Sequence, residues 1–123
     1  MLSVLIADDQ MLVRGGFRVL LESSNDINVI AEAQNGEEAV ELAKKYTPDV
    51  ILMDIRMPKK DGIEATKEII EYSTAHGLNI HVLILTTFDL DEYVYDALRA
   101  GASGFMLKDV EPAMLIDGIK VVA

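Results

Sequence analysis

Three carboxylates stand directly after two short, largely apolar segments of the sequence. Asp8 and Asp9 follow residues 2–7, and Asp54 follows residues 50–53. An apolar run without polar alternation is typical of a strand buried on both faces of a parallel sheet, and the carboxyl ends of such strands meet at one edge. We therefore expect the three carboxylates to lie together at that edge of the sheet.

Carboxylates crowded in this way repel one another, so one of them would hold a proton unless a cation joined the group. A hard divalent ion with oxygen ligands resolves the repulsion, and Mg²⁺ typically takes one or two carboxylates together with water and a phosphoryl oxygen. Mn²⁺ is an alternative ion with similar ligand preferences. The pattern predicts a Mg²⁺ site in which Asp54 acts as a nucleophile towards a phosphoryl group, giving an aspartyl phosphate.

Two further strand ends add a hydroxyl group and an ammonium group to the same edge. Thr86 ends the fourth apolar segment and Lys108 ends the fifth. A lysine would share the charge on the transferring oxygens with the metal, and a threonine hydroxyl would donate to the new phosphoryl group. Taken singly, each residue has a plainer interpretation: Asp8 or Asp9 as a helix cap, Lys108 as a solvated lysine, Thr86 as a turn hydroxyl. The occurrence of all of them at strand ends favours the site.

The segments that position these residues alternate along the chain. Five strand-like segments are separated by stretches with helical periodicity, and the connections are short. This order predicts a parallel sheet with helices on both faces, built as one α/β domain over residues 1–123.

Two helix starts and one helix face are predicted in more detail. Asn35 and Glu38 have the spacing of a capping box at the start of the second helix, and Asp89 and Glu92 have the same spacing at the start of the fourth. The helical period places Leu98, in that fourth helix, on the core face.

Composition narrows the class of protein. The chain has a formal net charge of −10 at pH 7 and no cysteine, which opposes a general affinity for nucleic acid and excludes both disulfides and thiolate metal sites. No apolar run approaches the roughly 18 residues of a membrane span, and the first residues lack the features of a signal peptide. We expect a cytoplasmic protein without a membrane segment, which would meet DNA only through another domain.

Together these residues resemble the receiver domain of response regulators in two-component systems, over essentially the whole chain. The resemblance rests on these residues and segments, which occur in the family's order: Asp8, Asp9, 48–58, Asp61, Gly62, Thr86 and 100–108. It implies a flavodoxin-like (βα)5 fold, with a doubly wound, parallel five-stranded sheet in the order 2-1-3-4-5. It also implies that the chain is not an enzyme beyond taking a phosphoryl group from a phospho-histidine donor and slowly releasing it.

The resemblance assigns metal-site roles position by position. Asp54 matches the phospho-acceptor, which receives its phosphoryl group from a sensor histidine kinase. Asp9 matches the main acidic ligand of Mg²⁺, with Asp8 in a supporting role. Arg56 matches the position whose backbone carbonyl completes the metal site, so its side chain is not required for that role.

Further positions match the family's switch. Lys108 matches the phosphoryl-binding lysine and Thr86 the switch hydroxyl. Phe105 matches an aromatic residue that turns inward when the hydroxyl moves, although a plain core aromatic is the alternative. Asp109 follows Lys108 where many receivers have a proline; a cis bond before a non-proline residue costs about 3 kcal/mol, which argues against one here.

The segments 13–17 and 85–89 most resemble the NarL/FixJ (LuxR-type) branch of the family. Members of that branch usually continue into a helix-turn-helix DNA-binding domain. No basic recognition helix occurs in this sequence, so the resemblance implies either a receiver separated from a transcription factor or a stand-alone receiver. We favour the first.

Surplus apolar residues on the terminal helices suggest a surface for a phosphorylation-linked homodimer. The residues outside the core stripes are Leu12 and Val19 in the first helix and Met114 and Val121 in the last. The alternative surface is formed by the fourth helix, the fifth strand and the last helix, with Tyr93 and Tyr95. Scattered exposed apolar residues are normal, so the absence of any interface is the plainer interpretation. We favour the pair of terminal helices.

Two rival functions fit less well. A Mg²⁺-dependent aspartyl phosphatase usually has its nucleophile after the first strand and a second acid two positions later, where this chain has Gln10. A flavodoxin-like cofactor carrier needs a phosphate loop rich in Ser, Thr and Gly after that strand, whereas residues 8–11 read Asp-Asp-Gln-Met.

Overall fold

Strands and helices alternate through the parts of the chain that the structure, a computed structural model, describes: residues 1–87 and 92–123. The strands are β1 (Leu2–Ala7), β2 (Ile27–Ala33), β3 (Val50–Asp54), β4 (His81–Thr86) and β5 (Gly104–Leu107). The helices are α1 (Met11–Glu22), α2 (Gly36–Tyr46), α3 (Gly62–Ala75), α4 (Glu92–Arg99) and α5 (Pro112–Val122). Pro112 begins α5, where its missing N–H costs no helical hydrogen bond.

The sheet has the order β2-β1-β3-β4-β5, and each of these pairings is parallel. The predicted flavodoxin-like order 2-1-3-4-5 is confirmed. The register brings Ala7 beside Met53 and Asp54 beside Leu85. The carboxyl ends of the central strands therefore lie at a common edge, which is where the sequence places its carboxylates.

The composition of β3 explains why its apolar run shows no alternation. Ile51 and Met53 belong to a core cluster that also contains residues of α2, α3 and α4, while Val50 and Leu52 belong to a second cluster with residues of α1 and α5. Successive side chains of a strand point to opposite faces. Because helices cover both faces, the strand is buried along its whole length, and Asp54 is held at its end by packing on two sides.

The start of α2 differs in detail from the predicted capping box. The Asn35 side chain accepts a hydrogen bond from the backbone N–H of Glu38 at 2.9 Å, as predicted. The Glu38 carboxylate does not return to Asn35 but accepts from the side-chain and backbone N–H groups of Gln34, at 2.9 and 3.2 Å. These bonds lower the pKa of Glu38, because they favour its charged form. The predicted cap at Asp89 lies outside the described residues.

The predicted core position of Leu98 is wrong, since the residue is 40% exposed. Val94 and Ala97 form the buried stripe of α4, and Leu98 lies about 100° around the helix from Ala97. Within the described ranges, none of the helices has the length and apolar character needed to cross a membrane.

Candidate functional site

The three predicted carboxylates come together at the carboxyl edge of the sheet. Asp8 and Asp9 follow β1 and Asp54 ends β3, and one carboxylate oxygen of each lies within 4.8 Å of the others. Asp8 is 2% exposed and Asp54 is 9% exposed, whereas Asp9 is exposed to solvent. Two nearly buried carboxylates and one accessible carboxylate therefore share one small region.

Lys108 lies between the two buried carboxylates. Its Nζ is 2.8 Å from Asp8 Oδ2 and 3.2 Å from Asp54 Oδ1, and its backbone N–H donates to the carbonyl of Thr86 at 2.8 Å. Burial acts to lower the pKa of Lys108, but the bonds to Asp8 and the charge of Asp54 outweigh it, so the pKa is raised. The ammonium group is therefore charged at neutral pH, and it joins β5 to the carboxylates of β1 and β3.

One lysine does not balance three carboxylates. Burial raises the pKa of Asp54, and the charges of Asp8 and Asp9 act in the same direction, against the attraction of Lys108. A second cation would relieve this repulsion. The ligand atoms are carboxylate oxygens, which suit a hard divalent ion such as Mg²⁺ or Mn²⁺. The residues present thus fit the predicted metal, with Asp9 on the accessible side.

A cavity of about 240 Å³ opens at this edge of the sheet. Its lining residues are Asp9, Gln10, Asp54, Ile55, Arg56, Thr86, Thr87 and Lys108. Since a water occupies roughly 30 Å³ of liquid, the cavity has room for a phosphoryl group and several waters. The structure therefore brings together the residues predicted for the metal and phosphoryl site, with Asp8 paired to Lys108.

Asp8 and Asp9 differ in how far they act as a helix cap, which is their plainer interpretation. The Asp8 Oδ1 atom accepts a hydrogen bond from the backbone N–H of Gln10 at 2.9 Å, so this carboxylate closes a turn before α1 as well as binding Lys108. Gln10 occupies the N-cap position of α1 and makes no side-chain cap bond there. Asp9 is therefore not the cap of this helix.

Gly62 is a site residue whose role the sequence did not reveal. A Cβ atom at this position would lie 2.0 Å from the backbone oxygen of Asp54, and the Gly62 N–H donates to the carbonyl of Ile55 at 2.7 Å. The start of α3 is therefore pressed against the end of β3, and only a residue without a side chain permits this approach. The Asp61-Gly62 pair was the available signal in the sequence, but residue spacing does not show that Gly62 contacts Asp54.

Arg14 is a second residue that the sequence did not single out. Its Nη1 donates to the backbone carbonyl of Asp8 at 2.6 Å, and its Nε donates to Glu32 of β2 at 3.2 Å. Glu32 is distant in sequence, so periodicity places both residues on their elements without showing that they meet.

The predicted switch residues occupy different environments. Thr86 is buried at the end of β4 and lines the cavity, whereas Phe105 is 41% exposed. Phe105 is thus not a plain core aromatic in this structure. Every peptide bond of the described residues is trans, including the one between Lys108 and Asp109.

The four apolar residues predicted to lie outside the core are exposed, which confirms their placement: Leu12, Val19, Met114 and Val121. On the alternative surface, Tyr95 is exposed as well, and the side chain of Tyr93 is outside the described part of the chain. Both surfaces therefore carry exposed apolar or aromatic residues.

Comparison with known proteins gives a consistent result. A family model described as the response regulator receiver domain matches residues 4–120. The chain is 48% identical over 120 residues to an uncharacterised transcriptional regulatory protein, YxjL, of Bacillus subtilis, covering 98% of this chain and 53% of the relative. The chain spans about half the length of the curated relatives it matches.

Solved structures agree with this result. The signal receiver domain of the response regulator NarL from Mycobacterium tuberculosis superposes with a TM-score of 0.87 at 35% identity, covering 98% of this chain and 94% of that one. A chain of the CheX-CheY-BeF3-Mg²⁺ complex from Borrelia burgdorferi gives 0.88 at 30% identity, covering 98% and 88%.

Proposed function

The chain belongs to the response regulator receiver domain family, and we propose that Asp54 accepts a phosphoryl group from a sensor histidine kinase. One observation carries the proposal: a nearly buried carboxylate at the end of β3 has two further carboxylates within 4.8 Å and an ammonium group at 3.2 Å. A nucleophile beside an ammonium group and a set of carboxylates able to hold a metal ion is the arrangement that phosphoryl transfer to a carboxylate requires.

The metal would be held by residues of two strand ends. We assign Asp9 and Asp54 as carboxylate ligands, the backbone carbonyl of Arg56 as a third ligand and Asp8 as support. A bound Mg²⁺ supplies positive charge that stabilises the transferring oxygens, and Mn²⁺ is the alternative ion. A chain 30% identical to this one occurs in the CheX-CheY-BeF3-Mg²⁺ complex, which supports this assignment.

The bonds that form and break in the transfer belong to Asp54 and to the donor. An Asp54 carboxylate oxygen forms a bond to phosphorus as the P–N bond of the donor's phospho-histidine breaks, and the departing imidazole carries the electron pair and takes a proton from solvent. Lys108, now paired with Asp54 Oδ1 at 3.2 Å, turns to the phosphoryl oxygens. The product is the modified protein itself, and only slow self-dephosphorylation follows.

The output would begin at Thr86. Thr86 lines the cavity, where its hydroxyl group would donate to an oxygen of the new phosphoryl group. The movement leaves space that Phe105, which is 41% exposed before phosphorylation, turns inward to fill. Phosphorylation thereby shifts Thr86 and Phe105 from one of two arrangements to the other through a local hydrogen bond.

We propose that the shifted state forms a homodimer and controls transcription. The exposed pairs on α1 and α5, Leu12 with Val19 and Met114 with Val121, are the favoured contact; the face of α4, β5 and α5 is the alternative. The relatives include transcriptional regulatory proteins about twice the length of this chain. Contact with DNA would belong to a helix-turn-helix segment outside this sequence, and the protein would act in the cytoplasm.

The test measures the phosphorylation rate with acetyl phosphate as donor, followed by intact mass across a range of Mg²⁺ concentrations. Wild type should gain one phosphoryl group only with the metal. Asp9→Ala should need far more Mg²⁺, and Lys108→Ala should react slowly even at saturating metal. Asp117→Asn, an exposed change on α5, is the matched control and should behave as wild type. Metal-independent phosphorylation of wild type would refute the proposal.

A further inference from the structure

Glu32 on β2 holds two arginines of α1. Its Oε1 atom is 3.2 Å from Arg14 Nε and its Oε2 atom is 2.5 Å from Arg18 Nη1. Arg18 also donates to the carbonyl of Val29 at 3.3 Å. The Arg14 side chain is mostly buried, whereas that of Arg18 is 40% exposed. The two ion pairs tie the inner edge of α1 to the edge strand of the sheet.

Of these two arginines, Arg14 also reaches the loop after β1. Arg14 Nη1 donates to the carbonyl of Asp8 at 2.6 Å, while the N–H of Asp8 donates to the carbonyl of Ala33 on β2 at 3.0 Å. The peptide groups on both sides of the Asp8 Cα atom are thus fastened to neighbouring elements. The next residue, Asp9, is exposed, so the direction of its side chain depends on the backbone held at Asp8.

We propose that Arg14, held in place by Glu32, is a positioning residue that orients the Asp8–Asp9 backbone for binding of a divalent cation. This inference rests on the metal site of the proposed function. A planar guanidinium suits the task, because its separate N–H groups bind the Asp8 carbonyl and the Glu32 carboxylate at the same time in a fixed geometry.

Electrostatics alone makes the opposite prediction for Arg14. A positive charge beside the carboxylates repels an incoming cation, so removing it would tighten Mg²⁺ binding. If Arg14 acts by orienting the ligands, its removal weakens binding despite the lost repulsion. The sign of the effect therefore separates the two explanations.

The experiment titrates each full chain with Mg²⁺ and follows the amide signals of Asp9 and Gln10 by two-dimensional NMR. Arg14→Ala and Glu32→Gln should each weaken binding about tenfold, the usual size of effect for a group that orients metal ligands. Arg14→Lys keeps the charge but cannot make both bonds, and should weaken binding in the same direction. Arg18→Ala removes the other positive charge that is paired with Glu32 and leaves the bond from Arg14 to Asp8 in place. Its affinity for Mg²⁺ should stay within about threefold of wild type.

A second measurement separates positioning from general loss of structure. With acetyl phosphate, the Mg²⁺ concentration for half-maximal phosphorylation should rise in Arg14→Ala, while the rate at saturating Mg²⁺ returns to the wild-type value. Binding by Arg14→Ala that equals or exceeds wild type overturns the inference. If that variant does not fold, Arg14→Lys decides, because unchanged affinity there is equally contradictory. Absence of Mg²⁺ binding by wild type would instead refute the proposed function.

Discussion

Replacing Asp54 by Asn should stabilise the metal-free protein at neutral pH. Asp54 is 9% exposed and stands beside two further carboxylates, so its charge is held there at a cost in folding free energy. Asparagine has the same shape without the charge. Lys108 does not lose its only partner in this variant, since it also binds Asp8 at 2.8 Å.

The size of the effect follows from the distances. At the largest ligand-oxygen separation of 4.8 Å, a like-charge pair costs about 3.5 kcal/mol at an effective dielectric constant of about 20, and Asp54 forms two such pairs. The attraction between Asp54 and Lys108 at 3.2 Å offsets about 5 kcal/mol of this repulsion at the same dielectric constant. Repulsion therefore exceeds attraction by about 2 kcal/mol, and because Asp9 is exposed to solvent screening we expect a gain of about 1 kcal/mol.

The assay is urea unfolding followed by circular dichroism, in the presence of a chelator. The pKa of Asp54 is raised from its usual value near 3.8, so the folded state binds this proton more tightly than the unfolded chain does. The destabilising contribution is absent below the usual value and complete above the raised one. The advantage of Asp54→Asn should therefore be largest at neutral pH and shrink as the pH falls towards 4.

A control variant and the addition of Mg²⁺ provide two comparisons for this result. Asp117→Asn, a change at an exposed residue of α5, should change the free energy of unfolding by less than about 0.5 kcal/mol. Mg²⁺ at ten times its dissociation constant should stabilise wild type by about 1.4 kcal/mol and stabilise Asp54→Asn less. If Asp54→Asn is less stable than wild type in chelator at neutral pH, the attraction to Lys108 dominates, and the account of a carboxylate cluster in need of a cation is wrong.

Two further predictions concern packing and assembly. Gly62→Ala should lower the free energy of unfolding by about 3 kcal/mol in urea titrations, because the new Cβ would lie 2.0 Å from the Asp54 carbonyl. Gly15→Ala, an exposed helical site with nothing within 4 Å of the added atom, should instead raise it by up to about 1 kcal/mol; equal losses at both sites would contradict the packing argument. Light scattering of the phosphorylated chain should show a dimer that Leu12→Glu abolishes and Tyr95→Ser retains. The reverse pattern would assign the dimer to the face of α4, β5 and α5.

The sequence predicted the sheet and its reactive edge because both depend on a strong local signal. Helices cover both faces of β3, so an unbroken apolar run marks the strand, and parallel topology then brings Asp9, Asp54 and Lys108 to one edge without further information. Asn35 was predictable as a cap for the same reason, since its partner is only three residues away.

The features that the sequence did not reveal depend on contacts between distant elements. The meeting of Arg14 with Glu32 and the close approach of Gly62 to Asp54 arise only when helices settle on the sheet. Leu98 satisfies the helical period but lies at the edge of the buried stripe, because α4 packs through Val94 and Ala97. Periodicity fixes which face of a helix turns inward, whereas the width of the buried stripe is set by its neighbours.

The most direct test of the central claim is to locate the phosphoryl group. The chain is phosphorylated with acetyl phosphate and Mg²⁺, reduced with borohydride, which converts an aspartyl phosphate to homoserine, and mapped by peptide mass spectrometry. The modification is predicted at position 54 of wild type, and Asp54→Asn is predicted to remain unmodified. Modification at Asp8 or Asp9 in wild type, or an unmodified Asp54 with the metal present, would contradict the account.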